Sequence, residues 1–214
     1  MSFKKNKYTV IKNFVSKDVT KFIYDYFLFK RKAVKYMYDA GFPPHSITGT
    51  FEDEYVPDVY CAYGDFVLEN ILEKSLPNVE KATGYKLYPT YSYMRVYEKG
   101  SELKRHTDRP SCEISTTINF GGDPWPIFVH DEKKDETLSI DLKPGDGLFY
   151  RGCILPHWRE KFKGDLCVQA FFHYNDKKGP LKDQNKFDRR PLLGLPLDYR
   201  KDWYNKKIFK ISNR

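Results

Sequence analysis

An α+β fold is predicted, with a helical first part packed on an antiparallel, jelly-roll-like second part. Two patterns predict it. Residues up to about 85 carry apolar side chains at three- and four-residue steps, and from Lys86 onward short β-rich runs alternate with Gly/Pro turns. The composition agrees: 214 residues, 40% hydrophobic, 31% charged and 17% aromatic describe a chain able to bury a core, neither disordered nor of low complexity.

Tyr8-Thr9-Val10-Ile11 is an opening apolar run, after which Ser16 is placed to cap a helix over Asp18 to about Tyr38. Val19, Phe22, Ile23, Tyr26, Phe27, Val34 and Met37 form its core-facing stripe, and Gly41-Phe42-Pro43-Pro44 ends it. His45–Tyr60, rich in aromatic and turn residues without a period, reads as a long ordered loop suited to substrate contacts. A second helix is expected from Gly64 to Lys74, with a separate short one after Pro77.

The β-rich runs are Lys86–Tyr97, Glu113–Phe120, Pro126–His130, Thr137–Leu142, Gly147–Tyr150, Pro156–Arg159 and Cys167–Tyr174. Lys99-Gly100, Gly121-Gly122-Asp123-Pro124 and Pro144-Gly145-Asp146-Gly147 separate them, a spacing that favours a double-sheet jelly roll or barrel. One domain is expected over 1–178, with helical support in 1–85 and the jelly-roll core in 86–178, followed by a basic extension, 179–214. From Lys177 onward there are 12 basic and 4 acidic residues, which accounts for the whole net charge of +8. The extension is read as a solvated terminus, with a short helix over Asp198–Phe209.

The four cysteines are too widely spaced for a zinc ribbon or a disulfide framework, so reduced core residues are expected. No run has the length of a membrane span and the first residues hold no hydrophobic signal core, so a cytoplasmic protein without membrane contact is expected.

Five histidines leave few choices for chemistry. In His106-Thr107-Asp108 two metal-ligand types stand at i and i+2, which on an extended segment share a face. A third ligand must come from elsewhere; His157 follows 49 residues later, behind a Pro-Gly-Asp turn and a strand able to return it to the site. Two histidines and a carboxylate can form the facial triad of non-haem iron oxygenases. Taken singly, His106 and Asp108 read more readily as a solvated loop ion pair, and His157 as a capped or hydrogen-bonded core imidazole. The ordered set is more specific than its parts. Arg109 has two readings, substrate contact or a turn-stabilising ion pair, and His130, His173, Trp125 and Trp158 are assigned to structure.

Tyr97-Glu98-Lys99-Gly100, Arg105-His106-Thr107-Asp108 and Lys143-Pro144-Gly145-Asp146-Gly147 through Leu155-Pro156-His157 resemble the 2-oxoglutarate- and Fe(II)-dependent dioxygenases, in their prolyl 4-hydroxylase-like branch. The resemblance spans about Tyr91 to Tyr174. It implies a double-stranded β-helix fold and makes His106, Asp108 and His157 the iron ligands. It implies Fe(II), 2-oxoglutarate and O2 as cofactor and co-substrates, with ascorbate as a possible reductant, and Tyr97 in the wall of the 2-oxoglutarate pocket. The implied reaction is hydroxylation of a C–H bond in a peptide or small molecule with decarboxylation of 2-oxoglutarate to succinate. Retention of Asp108 favours hydroxylation over halogenation, because related halogenases lack the carboxylate ligand.

The chain departs from the family at the basic residue that binds the far carboxylate of 2-oxoglutarate, where Asp165 stands between Gly164 and Leu166. Arg159, two residues beyond His157 and on its face, is the first candidate to replace it, ahead of Lys161, Lys163 and Arg95. Gln169 is a further candidate for the same pocket. The competing readings are a non-catalytic jelly-roll binding module, with a structural metal or a basic tail that binds nucleic acid, and a zinc hydrolase, for which no general base is evident.

Overall fold

The computed structural model describes residues 3–42, 47–180 and 184–200. Its helices are α1 (Phe3–Asn6), α2 (Lys17–Asp39) and α3 (Phe66–Thr83). The strands are β1 (Tyr8–Ile11), β2 (Tyr60–Tyr63), β3 (Leu87–Glu98), β4 (Leu103–His106), β5 (Ile114–Gly122), β6 (Ile127–Asp131), β7 (Glu136–Ile140), β8 (Gly147–Tyr150), β9 (His157–Arg159) and β10 (Leu166–Asp176). All pairings are antiparallel. They build a six-stranded sheet in the order β1-β8-β5-β10-β3-β2 and a four-stranded sheet in the order β4-β9-β6-β7.

The period-two alternation of the central strands assigns each face. Met94 and Val96 of β3, Val168, Ala170 and Phe172 of β10, and Ile118 and Phe120 of β5 share one buried cluster with Ile23, Phe27 and Val34 of α2 and Leu68, Leu72 and Val79 of α3. The intervening residues, including Tyr97, Arg95, Thr117, Gln169 and Phe171, occupy the opposite face, toward the four-stranded sheet. That inner face is unusually polar for a buried one, and the candidate site lies there.

The helices depart from the sequence expectation in two ways. Pro77 does not start a new helix but lies within α3. It projects on the solvent side with Glu73, whose carbonyl loses its helical partner where water can replace it, while Leu72 and Val79 anchor the helix on either side. In α2, Ser16 occupies the N-cap through its backbone alone, and Val19, Phe22 and Met37 lie outside the buried stripe, which Thr20, Ile23, Phe27 and Val34 form. Strands β2 and β4 have no counterpart among the predicted runs, being too short to show a period. The predicted loop is irregular over 47–59, and Asp53 orders it by accepting from Tyr55 N (2.8 Å) and Val56 N (2.9 Å).

The basic extension is not a solvated terminus over its described residues. Residues 184–200 run back over β3 and α3. Arg190, fully buried, pairs with buried Glu69 at 2.7 Å. Asp188, 1% exposed, accepts from Arg109, Ser111, Tyr63 and Arg200. Phe187, Asp188 and Arg189 all take left-handed backbone conformations, with φ of 53°, 54° and 69°. Such a run costs on the order of 1 kcal/mol or more per residue and persists only where contacts over-determine it. Leu197–Tyr199 is a single 3-10 turn that ends in extended Arg200, so no helix begins at Asp198. The remainder of that predicted helix, with Trp203, Tyr204 and Phe209, lies outside the described residues.

All four cysteines are free thiols. Among the described residues no helix is long and apolar enough to cross a membrane.

Candidate metal centre and co-substrate pocket

The antiparallel register of β4 and β9 sets His106 opposite His157. Their rings lie 4.3 Å apart, centroid to centroid. Asp108 follows two residues beyond β4 on a segment without a strand partner, its N–H donating to the Gly152 carbonyl at 2.9 Å. Its Oδ1 stands 3.7 Å from His106 Nε2 and 3.6 Å from His157 Nε2. The three residues thus turn one ligand atom each toward a common point, all within 4.8 Å of one another.

The other atoms of these side chains are committed elsewhere. His106 Nδ1 bonds the Lys104 carbonyl (2.8 Å) and His157 Nδ1 the Leu155 carbonyl (2.9 Å), which fixes each tautomer with the Nε2 lone pair free. Asp108 Oδ2 accepts from Ser115 Oγ at 2.6 Å, leaving Oδ1 as the open oxygen. Burial alone would raise the Asp108 carboxyl, but the hydrogen bond and charge of His157, with His173 and Ser115, hold it well below the usual carboxylate range. Burial, and then neighbouring His157, lower His106. An anionic carboxylate beside imidazoles with free Nε2 atoms is the protonation state that metal ligation requires.

The donor set fits Fe(II): two imidazoles and one carboxylate from one side leave the remaining octahedral positions open. A cavity of about 110 Å³ adjoins the triad, bounded by Leu103, Ile127, Tyr150 and Phe171, and a wider one of about 590 Å³ opens past Tyr55, Tyr63 and Tyr93.

Deeper between the sheets, Arg159 is 1% exposed and has no carboxylate partner among the described residues. Its guanidinium donates to the Trp125 carbonyl, to Gln169 Oε1 (3.4 Å) and to Thr117 Oγ1 (3.5 Å), all neutral, and its Nε has no partner. Burial pulls its pKa below the ordinary arginine value. Buried cations are ordinarily paired; this one faces neutral groups, and it is not among the residues that line the two cavities.

Tyr97 and Trp125 form an edge-to-face pair at 4.8 Å, and Arg159 lies over the Trp125 ring at 5.1 Å. Tyr97, Arg159 and Gln169 therefore occupy one neighbourhood. Of the fallback residues, Lys161 and Lys163 are exposed, while buried Arg95 shares this neighbourhood, donating to the Tyr97 hydroxyl at 3.3 Å, but is paired with Asp53 through Nε (2.6 Å) and Nη2 (3.2 Å).

Arg109 makes two bonds of 2.9 and 2.8 Å to Asp188 and also lines both cavities, so its two readings, an ion pair and contact with a bound molecule, each have a counterpart in the structure. Trp158 faces away from the site and stacks on Phe128. His173, assigned to structure, lies close to the candidate site. It lines the inner cavity, rests on Tyr91 at 4.5 Å and bonds Ser115 Oγ through Nδ1 (3.0 Å), one hydrogen bond removed from Asp108. Burial lowers it to about 4, so it is neutral. Ser115 and Gly152 also escaped sequence reasoning. A Cβ at Gly152 would lie 2.6 Å from the Cys112 carbonyl and 2.7 Å from Ser115 Oγ, and closer still to Asp108 Oδ2.

No family model matches the sequence, and no curated protein sequence matches it. Solved structures do resemble it. A prolyl 4-hydroxylase from Pseudomonas putida aligns with a TM-score of 0.60 at 9% identity, over 81% of this chain and 95% of that one. A Trichoplax adhaerens prolyl hydroxylase, solved with a hypoxia inducible factor oxygen degradation domain peptide fragment, gives 0.57 at 14% identity, over 82% and 86%. The non-haem α-ketoglutarate-dependent epimerase SnoN from nogalamycin biosynthesis gives 0.59 at 11% identity, over 91% and 92%. At such identities the likeness establishes the fold, the double-stranded β-helix of the 2-oxoglutarate- and Fe(II)-dependent oxygenases.

Proposed function

We propose that this chain is a non-haem Fe(II)- and 2-oxoglutarate-dependent oxygenase that hydroxylates a C–H bond. The observation that carries the reading is a conjunction: three free donor atoms converging from His106, Asp108 and His157, and an unpaired buried guanidinium, Arg159, between the same two sheets. Bound iron supplies the activation of O2, with oxidative decarboxylation of 2-oxoglutarate to succinate and CO2.

The chain's own part is positional and electrostatic. His106 and His157 hold the metal through Nε2 and Asp108 through Oδ1. Arg159 receives the far carboxylate of 2-oxoglutarate, its fork steadied by the Trp125 carbonyl, Thr117 and Gln169, with Tyr97 as a wall. The narrow inner cavity limits water at the reacting centre, and the wider opening admits a peptide residue or a small molecule. Two observations support hydroxylation: Asp108 keeps a carboxylate where halogenation needs an open position, and prolyl hydroxylases are among the structural neighbours. An epimerase and a carbocyclase share the fold, so the product must be read directly.

The test is anaerobic loading with Fe(II), addition of 2-oxoglutarate and O2, and mass spectrometry of succinate and of a substrate panel. Metal-dependent succinate formation, lost in His106→Ala together with iron binding, is expected, with one oxygen atom added to the accepted substrate. Iron binding that His106→Ala leaves intact, with no succinate from the wild type, would overturn the proposal.

A further inference from the structure

Asp108 is the least scaffolded of the three candidate ligands, since His106 and His157 sit in paired strands while Asp108 rides on the segment between β4 and the 3-10 turn Pro110–Cys112. Its backbone has the Gly152 carbonyl and its side chain has Ser115. The next four residues are held from remote parts of the chain: Thr90 and Asn175 donate to the Ser111 and Pro110 carbonyls at 2.8 and 3.0 Å, and the side chains of Arg109 and Ser111 meet the strap. Asp188 accepts both prongs of Arg109, at 2.9 and 2.8 Å, and Ser111 Oγ at 2.8 Å, so one carboxylate grips the segment on either side of Pro110. Tyr63 donates to Asp188 at 2.7 Å and Arg200 at 2.5 Å, from β2 and from the end of the same strap.

Two features make this more than a surface latch. Asp188 is buried, and it is held in the middle of three successive left-handed residues, a conformation the strap adopts where the carboxylate meets Arg109. Arg109 is also the residue directly after Asp108, and its guanidinium lies over the Tyr91 ring at 4.6 Å, in the wall shared by the inner and outer cavities.

We propose that the strap formed by residues 186–200 is a positioning element of the metal centre, in which Asp188 holds Arg109 and Ser111 so that the Asp108 carboxylate stays directed at His106 and His157. The inference rests on the reading of that triad as a metal centre. Asp188 acts through Arg109 and touches neither metal nor substrate.

The test uses the full chain with Co(II), whose visible spectrum reports ligand geometry without turnover. Asp188→Asn keeps the shape and one acceptor oxygen but removes the charge. Co(II) is expected to bind about tenfold more weakly, the lower end of the effect of losing an outer partner of a metal ligand, with an altered ligand-field spectrum. Arg109→Lys, at a partly exposed position, keeps the charge but loses the fork and should weaken Co(II) in the same direction, its folding being checked by circular dichroism. In the double variant the loss should not exceed that of the larger single, because both act through one contact. Unchanged Co(II) affinity and spectrum in Arg109→Lys and in folded Asp188→Asn, even with a lower Tm, would reduce the strap to a purely structural role and overturn the proposal. Losses that add in the double variant would overturn it too. His106→Ala separates the two readings: if it leaves Co(II) binding intact, the triad itself has failed, whatever the strap variants do.

Discussion

Replacing Arg159 by methionine is expected to move stability and co-substrate affinity in opposite directions. In the ligand-free chain the guanidinium is buried among neutral acceptors only. Desolvating an unpaired charge costs several kcal/mol, of which the dipoles of the Trp125 carbonyl, Gln169 and Thr117 return a part. Methionine fills much of the volume and removes the charge, leaving the Trp125 carbonyl without its donor, a loss of about 1–2 kcal/mol. The balance favours the variant by on the order of 1 kcal/mol, or a rise in Tm of about 2–4 °C for a chain of this size. With 2-oxoglutarate present the sign reverses. A two-pronged charged bond disappears, worth about 3 kcal/mol, so the co-substrate should bind roughly 100-fold more weakly. Thermal denaturation with Mn(II), with and without 2-oxoglutarate, reads both effects. At 100 times Kd the wild type should gain about 2.7 kcal/mol of stability. Arg159→Met should start from a higher Tm and gain almost nothing at that concentration, while Lys161→Ala and Lys163→Ala, on exposed side chains, behave as wild type. A variant that is less stable without ligand, or that keeps the 2-oxoglutarate increment, refutes the assignment of the pocket.

Two further outcomes follow from the same geometry. Gly152→Ala places a methyl against Asp108 Oδ2, the Cys112 carbonyl and Ser115 Oγ; it should cost about 1–3 kcal/mol by urea denaturation and weaken Co(II) binding, and a variant unchanged in both would show that the Gly152–Asp108 approach is loose. Acid stability should report Asp188: burial alone would raise its carboxyl, but Arg109, Arg200 and Tyr63 bring it from 3.8 down to about 2. A carboxyl depressed on folding contributes stability that is present above its unfolded pKa and lost as pH falls through the folded one. At about 1.4 kcal/mol per tenfold change in proton affinity this is roughly 2 kcal/mol, lost between about pH 4 and pH 2. Urea titrations across that window should show a shallower acid loss in Asp188→Asn than in wild type, and equal slopes would refute the assignment.

The sequence was most legible where one physical rule decides an element. Leu87–Glu98 and Leu166–Asp176 were legible as strands because β-branched and aromatic residues crowd them between turn signals, and in the structure one face of each meets the helices and the other the second sheet. His-x-Asp could be placed on one face because extended backbone repeats every two residues. What stayed hidden depends on approach in space. Nothing near Ser115 in sequence says that Asp108 Oδ2 will meet it, or that His173, 58 residues further on, will share its hydroxyl. The strap was read from composition as solvated because lysine and arginine dominate it, yet Arg190 and Asp188 are each matched by an opposite charge more than 75 residues away. Charge counts carry no information about pairing, and here pairing reverses the conclusion.

The buried arginines differ in what neutralises them. Arg95 is matched by Asp53 and Arg190 by Glu69, each through a carboxylate that is itself buried, so the fold is able to supply counter-ions inside the protein where they serve its stability. Arg109 receives Asp188 at the edge of the site, from a strap bent into strained backbone at that point. Among the described residues, Arg159 alone of the arginines with almost no exposure is left to neutral groups, and it lies on β9 two residues from His157. Leaving a buried cation unpaired is costly, and in the proposed reading an anion from outside the chain offsets that cost. A dicarboxylate with one end for the metal and one for Arg159 has the required form, which is why the Arg159→Met comparison with and without 2-oxoglutarate is the decisive one.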